Sequence, residues 1–280
     1  MQTNFTDKQI RDSETKSSEN IIRKCVHCGM CNATCPTYGI SGDELEGPRG
    51  RIYLIKDMLE NNKPANKKIA KHIDSCLSCY ACMTTCPSGV NYMHLIDHGR
   101  NHVEATYKRP LFDRLIRNVL SYTLPRPNVF LTLSILTKIV KPFSFLFPSF
   151  IRNSLNLMPN RIPSKKIKNK RVHPSNEIND STIRLLNRHN VEVVVLPEID
   201  CCGSLNHHLG KKKLAHSSFK KNINLWHEEY LKNGLDAIIS NTSGCGTTLK
   251  DYGFIFRDDK DLTKKAKKIS ELTKDITEFL

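Results

Sequence analysis

Cys25, Cys28, Cys31 and Cys35 are followed by Pro36, and Cys76, Cys79, Cys82 and Cys86 are followed by Pro87. Both runs read C-x2-C-x2-C-x3-C-P, and the five matching positions are each displaced by 51 residues. The pattern is therefore an internal repeat. Three thiolates on a tight loop at two-residue spacing can point at one centre, which is what a cubane [4Fe–4S] cluster needs. The fourth, after three intervening residues, has turned away and serves a second centre. The spacing thus predicts two [4Fe–4S] clusters with crossed ligation. Cluster I takes Cys25, Cys28, Cys31 and Cys86, and cluster II takes Cys76, Cys79, Cys82 and Cys35. Each proline is expected to block a helix just after the fourth ligand.

Structural zinc is the rival for such a set. Zinc sites commonly close with two separated C-x2-C pairs. A third Cys at the next step, then Cys-Pro, has no use there. His27 lies inside the first motif and is expected to tune hydrogen bonding or face solvent, since the thiolates already suffice. Residues 1–24 are polar and lack the apolar stretch of a secretory signal, so the cysteines read as metal thiolates in a reducing, cytoplasmic setting. In that setting Asn32-Ala33-Thr34 and Asn241-Thr242-Ser243 are chance matches to the glycosylation sequon.

The elements that must hold these cysteines follow from apolar spacing. Residues 1–20 are charged and serine-rich, a flexible N-terminus. Residues 21–109 form a helical module, with helices over Arg51–Glu60, Ile69–Ile73 and Tyr92–Tyr107. The 40 residues between Cys35 and Cys76 leave room for at least one of them. Residues 110–156 read as a connector of two helices broken at Pro125 and Pro127. Residues 157–174 read as a basic linker. Residues 175–280 alternate: a helix Ser181–Asn190 capped by Asp180 or Ser181, a strand Val191–Leu196, a helix His208–Lys232, a strand Leu235–Ser240, a turn Asn241–Gly246 and a basic helix Leu262–Leu280. That alternation implies a parallel α/β layer. A first strand should precede the Ser181 helix, and only basic linker stands there. The C-terminal domain therefore reads as incomplete, and the fold class as a helical module followed by a partial α/β domain.

The stretch Cys25-Val-His-Cys-Gly-Met-Cys-Asn-Ala-Thr-Cys-Pro-Thr-Tyr38 resembles the iron–sulfur subunit family of glycolate oxidase (glycolate dehydrogenase). So do Gly42-Asp-Glu-Leu-Glu-Gly-Pro-Arg-Gly-Arg-Ile-Tyr-Leu-Ile55, Cys76 to Val90, and Lys108-Arg-Pro-Leu111. The ferredoxin spacing alone is shared with subunits of anaerobic glycerol-3-phosphate dehydrogenase, lactate-utilisation proteins and heterodisulfide reductase. Gly42–Ile55 is the stretch that points to glycolate oxidase. Asp200-Cys-Cys-Gly203 and Ser243-Gly-Cys-Gly246 resemble the cysteine-rich "CCG" domain of the same families. There, a Cys on a first strand precedes the pair and a second copy of the domain usually follows. This sequence has no Cys between 86 and 201 and stops at Leu280 without a second copy. Cys201, Cys202 and Cys245 are thus either a further site or a remnant with free thiols.

The resemblance implies an electron-transfer subunit. FAD and the glycolate pocket would lie on a partner flavoprotein, and electrons would pass singly toward a quinone or other acceptor. The same relay for a lactate or glycerol-3-phosphate dehydrogenase is an alternative. A zinc-binding basic interaction protein is another, of a different class.

The chain carries 43 Lys+Arg against 28 Asp+Glu, a formal charge of +15. No nucleic-acid motif accompanies that surplus, which suits an acidic partner or anionic lipid, or plain solvated faces at Lys211–Lys213 and Lys264–Lys268. Val129–Ile151 is apolar, but Lys138, Lys141, Pro142 and Pro148 interrupt it, so no membrane span is expected. A peripheral position on the cytoplasmic face of a membrane, or packing on the module or on a partner, stays open for it. His207 and His208, adjacent on a helix start, are expected to diverge and not to share a metal. Asp43, Glu44 and Glu46 read as surface or helix-start charges.

Overall fold

The computed structural model describes residues 1–157 and 177–280, and most of the expected 157–174 linker lies outside them. The described residues divide into two compact units. One comprises Met1–Arg117 with Asn206–Lys213, and the other Asn118–Leu205 with Leu214–Leu280.

The first unit is helical. Helices Pro48–Glu60, Lys67–Asp74 and Tyr92–Thr106 present Ile52, Ile55, Met58, Ile73, Leu95, Ile96 and Val103 to one buried cluster. Asn66 and Asn91 cap the second and third through side-chain oxygens on backbone N–H groups. The N-terminal residues differ from expectation. They form helices Asp7–Ile10 and Ser13–Lys24, because Thr6 and Gln9 make a capping box and Asp12 caps the second helix. Ile21 and Ile22 then enter the core.

The two prolines act differently. Pro87 follows the Ala81–Thr85 helix and stops it, whereas Pro36 opens the Pro36–Ser41 helix at its first turn. A proline is tolerated there because that N–H has no intrahelical partner anyway.

In the second unit, helices Glu177–Arg188, Lys212–Asn233, Ser243–Lys250 and Thr263–Leu272 are joined by a two-stranded sheet. Strand β1, Ile238–Ser240, pairs in parallel with β2, Thr273–Asp275, in the register Ile238 to Thr273 and Ser240 to Asp275. Ala215, Phe219, Ile223, Tyr252, Phe256, Ala266 and Ile269 form the core.

Several expectations are corrected here. Val191–Leu196 forms no strand; the Val191 N–H is spent on Leu186 O, closing the preceding helix, and Val194 is exposed. The segment expected as one C-terminal helix breaks at Thr273 into β2. The helix expected over His208–Lys232 forms as Lys212–Asn233, starting four residues later, because Gly210 (φ +74°) ends a separate short helix Ser204–His208 ahead of it.

Pro127–Val140 continues through the 3-10 turn Lys141–Leu146. By length and composition this 20-residue helical stretch is enough to cross a membrane, contrary to the reading from its interrupting charges, and 6% of its apolar 18-residue window is buried.

Candidate functional site

The two cysteine motifs fold alike. The residues two and four places after the first Cys have left-handed backbones in both: His27 (φ 59°) and Gly29 (φ 85°), then Ser78 (φ 53°) and Tyr80 (φ 55°). These reversals curl each C-x2-C-x2-C loop. Left-handed backbone costs a non-glycine residue about 1–2 kcal/mol, so the second motif holds two strained positions where the first uses one glycine. At Gly29 a Cβ would stand 2.7 Å from Arg49 Nη1, so a side chain has little room there.

Cys25, Cys28 and Cys31 of the first motif line a cavity together with Cys86 of the second, and Cys82 borders it as well. His27 lines the same cavity, its ring edge-on to Tyr53 with centroids 6.4 Å apart. Ile52, Val90 and Tyr92 supply an apolar wall. Burial pushes the Cys31 thiol up to about 11, and the neighbouring Cys25 and Cys86 add to that. Burial likewise pushes Cys82 up to about 12, with Cys76, Cys31, Cys79 and Cys35 as its charged neighbours. Crowded thiols resist losing protons together. A cationic metal centre removes that resistance, since metal ligation deprotonates thiols outright. The donor set therefore fits iron–sulfur ligation.

Cys35 differs. Burial would raise its thiol, but bonds from the Thr37 hydroxyl and the Tyr38 and Thr37 N–H groups, with the Arg51 charge, hold it below its ordinary value. It is the N-cap of the Pro36–Ser41 helix, where exposed N–H groups favour a thiolate.

Arg51 is almost fully buried. Its Nη1 lies 3.9 Å from Cys35 Sγ, its Nε donates to His72 O at 2.6 Å, and its Nη2 donates to Glu46 Oε2 at 2.8 Å. Glu46 also meets His72 Nδ1 at 2.8 Å and accepts from Ser75 Oγ. Glu46 is therefore a buried partner, which corrects its reading as a surface charge. In the second motif, Tyr92 Oη donates to Cys76 Sγ at 3.8 Å, and Arg100 donates to Cys76 O at 2.6 Å and Ser78 Oγ at 2.6 Å.

In the other unit, Cys202 Sγ lies 3.0 Å from Cys245 Sγ. Ser204 Oγ donates to Gly244 O at 3.2 Å, and Thr248 Oγ1 donates to Ser204 Oγ at 2.9 Å, stitching the two loops together. Tyr252 Oη donates to Cys202 O at 2.7 Å. Gly203 is left-handed (φ 81°), and a Cβ there would meet the Phe219 ring at 2.5 Å. Hydrogen bonding from Cys202 lowers the Cys201 thiol to about 6, while Cys202 itself is pushed up.

The expectation that His207 and His208 diverge is overturned. His207 Nε2 lies 3.2 Å from Asp97 Oδ2, and His208 Nδ1 lies 3.1 Å from Asp97 Oδ1. One ring reaches with its far nitrogen and the other with its near one, so adjacent residues meet a single carboxylate. Burial would raise the Asp97 carboxyl, but bonds from His207 and His208 outweigh it and hold the group well below the usual carboxylate range. Asp97 carried no sequence signal beyond helical position, and Arg51 only its place in the Gly42–Ile55 stretch. His-His-Leu-Gly210, a helix end closed by glycine, was the one legible hint.

Taken together, the repeated cysteine loops on a helical module define an iron–sulfur electron-transfer protein. Residues 21–90 match the family described as 4Fe-4S dicluster domain, and residues 167–250 the one described as cysteine-rich domain. The chain is 39% identical over 291 residues to the glycolate oxidase iron-sulfur subunit of Escherichia coli (strain K12), spanning 100% of this chain and 70% of that protein. It is 28% identical over 308 residues to the probable glycolate oxidase iron-sulfur subunit of Bacillus subtilis (strain 168), spanning 98% and 68%. Lactate utilization protein A of Geobacillus sp. (strain WCH70) is 28% identical over 101 residues, 36% of this chain. No solved structure matches. The chain belongs to the family of glycolate oxidase iron–sulfur subunits.

Proposed function

We propose that the chain is the electron-relay subunit of a glycolate-oxidising complex, holding two [4Fe–4S] clusters. The partner is a flavoprotein that carries FAD and the substrate pocket. Cys25, Cys28, Cys31 and Cys86 would hold one cluster, and Cys76, Cys79, Cys82 and Cys35 the other. The observation that carries this reading is Cys86 in the cavity of the first motif, 51 positions from its counterpart Cys35. When bound, each cluster supplies a one-electron couple. The chain's own groups prepare for it. The Cys35 thiolate is favoured by a helix start and Arg51, Tyr92 Oη points at the Cys76 sulfur, and the apolar wall limits water.

Cys201, Cys202 and Cys245 stand outside the eight ligands. Three thiols, two of them adjacent, are a poor set for a further cubane, so we read them as thiols that hold no iron.

Pro127–Leu146 supports a peripheral place on the cytoplasmic face of a membrane, near a quinone acceptor. Ile135, Leu136, Ile139, Phe143, Phe145 and Leu146 are exposed. From position 114 to 176 the sequence has twelve Lys and Arg and no Asp or Glu. Lys138 and Lys141, one turn apart, put a basic stripe on the apolar helix, which suits lying in an anionic interface.

The test begins with iron and acid-labile sulfide on anaerobically purified protein; about eight of each per chain is expected. The protein is then mixed with its flavoprotein and given glycolate. Reduced-cluster EPR signals appearing with glycolate support the substrate. Signals only with lactate or glycerol 3-phosphate, or zinc in place of iron, overturn the reading.

A further inference from the structure

Asp97, His207 and His208 belong to the first compact unit, since that unit includes Asn206–Lys213. Their ligand atoms all lie within 4.8 Å of one another. Asp97 and His207 are buried and His208 is half-buried. None of the three takes part in the cysteine sets.

The local fold explains how they meet. Gly210 has a left-handed backbone, and its N–H closes the short helix on His207 O at 2.9 Å. A Cβ at Gly210 would stand 2.7 Å from Arg100 O. Only glycine lets this segment approach the Tyr92–Thr106 helix so closely, and that approach sets both imidazoles over Asp97.

The distances admit two uses. Charge-assisted N–H to carboxylate bonds run at about 2.7–2.9 Å. The two observed separations, 3.2 and 3.1 Å, lie at the long end of ordinary N–H···O bonds. Ligands about 2.0–2.2 Å from one ion, at roughly 90–110° to each other, stand about 3.0–3.4 Å apart. Each carboxylate oxygen lies beside one imidazole nitrogen, so one ion could take both nitrogens and a carboxylate oxygen.

We propose that Asp97, His207 and His208 form a binding site for a divalent first-row transition cation, with zinc as the closest chemical fit. Imidazole and carboxylate are the donors such ions take. Two imidazoles and a carboxylate oxygen give three protein donors, and water would complete a tetrahedral shell. The ion would clasp the Asn206–Lys213 segment to the Tyr92–Thr106 helix. Arg100 Nη1, 3.6 Å from Asp97 Oδ1, opposes the ion by its charge. That guanidinium is nevertheless engaged by Ser78 Oγ and Cys76 O, which leaves both carboxylate oxygens toward the imidazoles.

The experiment equilibrates the anaerobically purified, cluster-loaded chain with zinc chloride, desalts it, and measures zinc, iron and sulfide per chain. Zinc K-edge absorption then reads the ligands. About one zinc with a nitrogen and oxygen shell and imidazole outer scattering is expected. His207→Gln/His208→Gln should lose that zinc with iron and sulfide unchanged. No retained zinc overturns the proposal. So does a sulfur shell, which would put the zinc on cysteines, and so does zinc retained by the double variant. If the variant fails to fold, the wild-type absorption spectrum alone decides between the two shells.

Discussion

The Arg51 guanidinium lies 3.9 Å from the Cys35 sulfur and 2.8 Å from Glu46 Oε2, in almost complete burial. A buried cation beside a thiolate favours the thiolate, and Glu46 offsets the cost of burying that cation. Removing one partner of a buried ion pair leaves the other uncompensated, at about 3–5 kcal/mol. Arg51→Leu is therefore expected to lose about that much stability in anaerobic chemical denaturation, whereas Arg51→Lys should lose less. A leucine variant as stable as wild type would remove Arg51 from its supporting role.

Glu46 makes the same network sensitive to acid. Burial would raise its carboxyl, but bonds from Ser75 and His72 and the Arg51 charge outweigh it and lower the group from its ordinary 4.5. A depressed carboxylate contributes stability above its unfolded value, and that stability is lost as pH falls through the folded one. The denaturation midpoint of wild type should thus fall more steeply below about pH 4.5 than that of Glu46→Gln. Parallel curves would mean that Glu46 titrates as it does in the unfolded chain.

The proposed crossed ligand sets predict a dependence across 51 positions. Cys86→Ser should release the cluster held by Cys25, Cys28 and Cys31, lowering iron from about eight to about four or fewer per chain. Iron analysis with EPR reads this directly. Loss of the other cluster with the one at Cys25, Cys28 and Cys31 intact would return Cys86 to its own motif's set, and retention of the full count would remove it from the ligands altogether.

The cysteine loops were legible because ligand spacing is local: a cluster needs its thiols on a short curled segment, and that requirement is written in consecutive residues. Glu46 was misread because two of its partners, His72 and Ser75, come from the Lys67–Asp74 helix and its C-cap, more than 25 residues along the chain from it. His207 and His208 were misread because helical spacing gives the direction of a side chain and not which ring nitrogen it offers. Val191–Leu196 has strand composition but is paired with no strand among the described residues, its Val191 N–H being spent on Leu186 O. Thr273–Asp275 has ordinary helix-end composition and became a strand because Ile238–Ser240 lies alongside it. In both cases the sheet neighbour decided, and propensity did not.

The exposed Pro127–Leu146 helix predicts binding to anionic vesicles. Each lysine near such a surface contributes about 1 kcal/mol. Lys138→Gln/Lys141→Gln should therefore weaken co-sedimentation with phosphatidylserine-containing vesicles by roughly 30-fold, and raising salt should weaken the wild type toward the same value. Wild-type protein that stays in the supernatant at low salt would assign the helix to a protein partner.

Cys201 tests whether the second cysteine pair is chemically live. Its thiol is lowered to about 6, first by the hydrogen bond from Cys202, with the Gly203 N–H adding to it. An anaerobic alkylation series read by mass spectrometry should show Cys201 labelling rise through about pH 6, the thiolate being the nucleophile. Cys202→Ala removes the donor, so the midpoint should move up toward the ordinary 9.0. Neither that change nor Cys201→Ser should alter iron per chain, because the thiols at 201, 202 and 245 lie outside the two proposed ligand sets. Loss of iron in either variant would place a further metal centre at the Cys202–Cys245 contact.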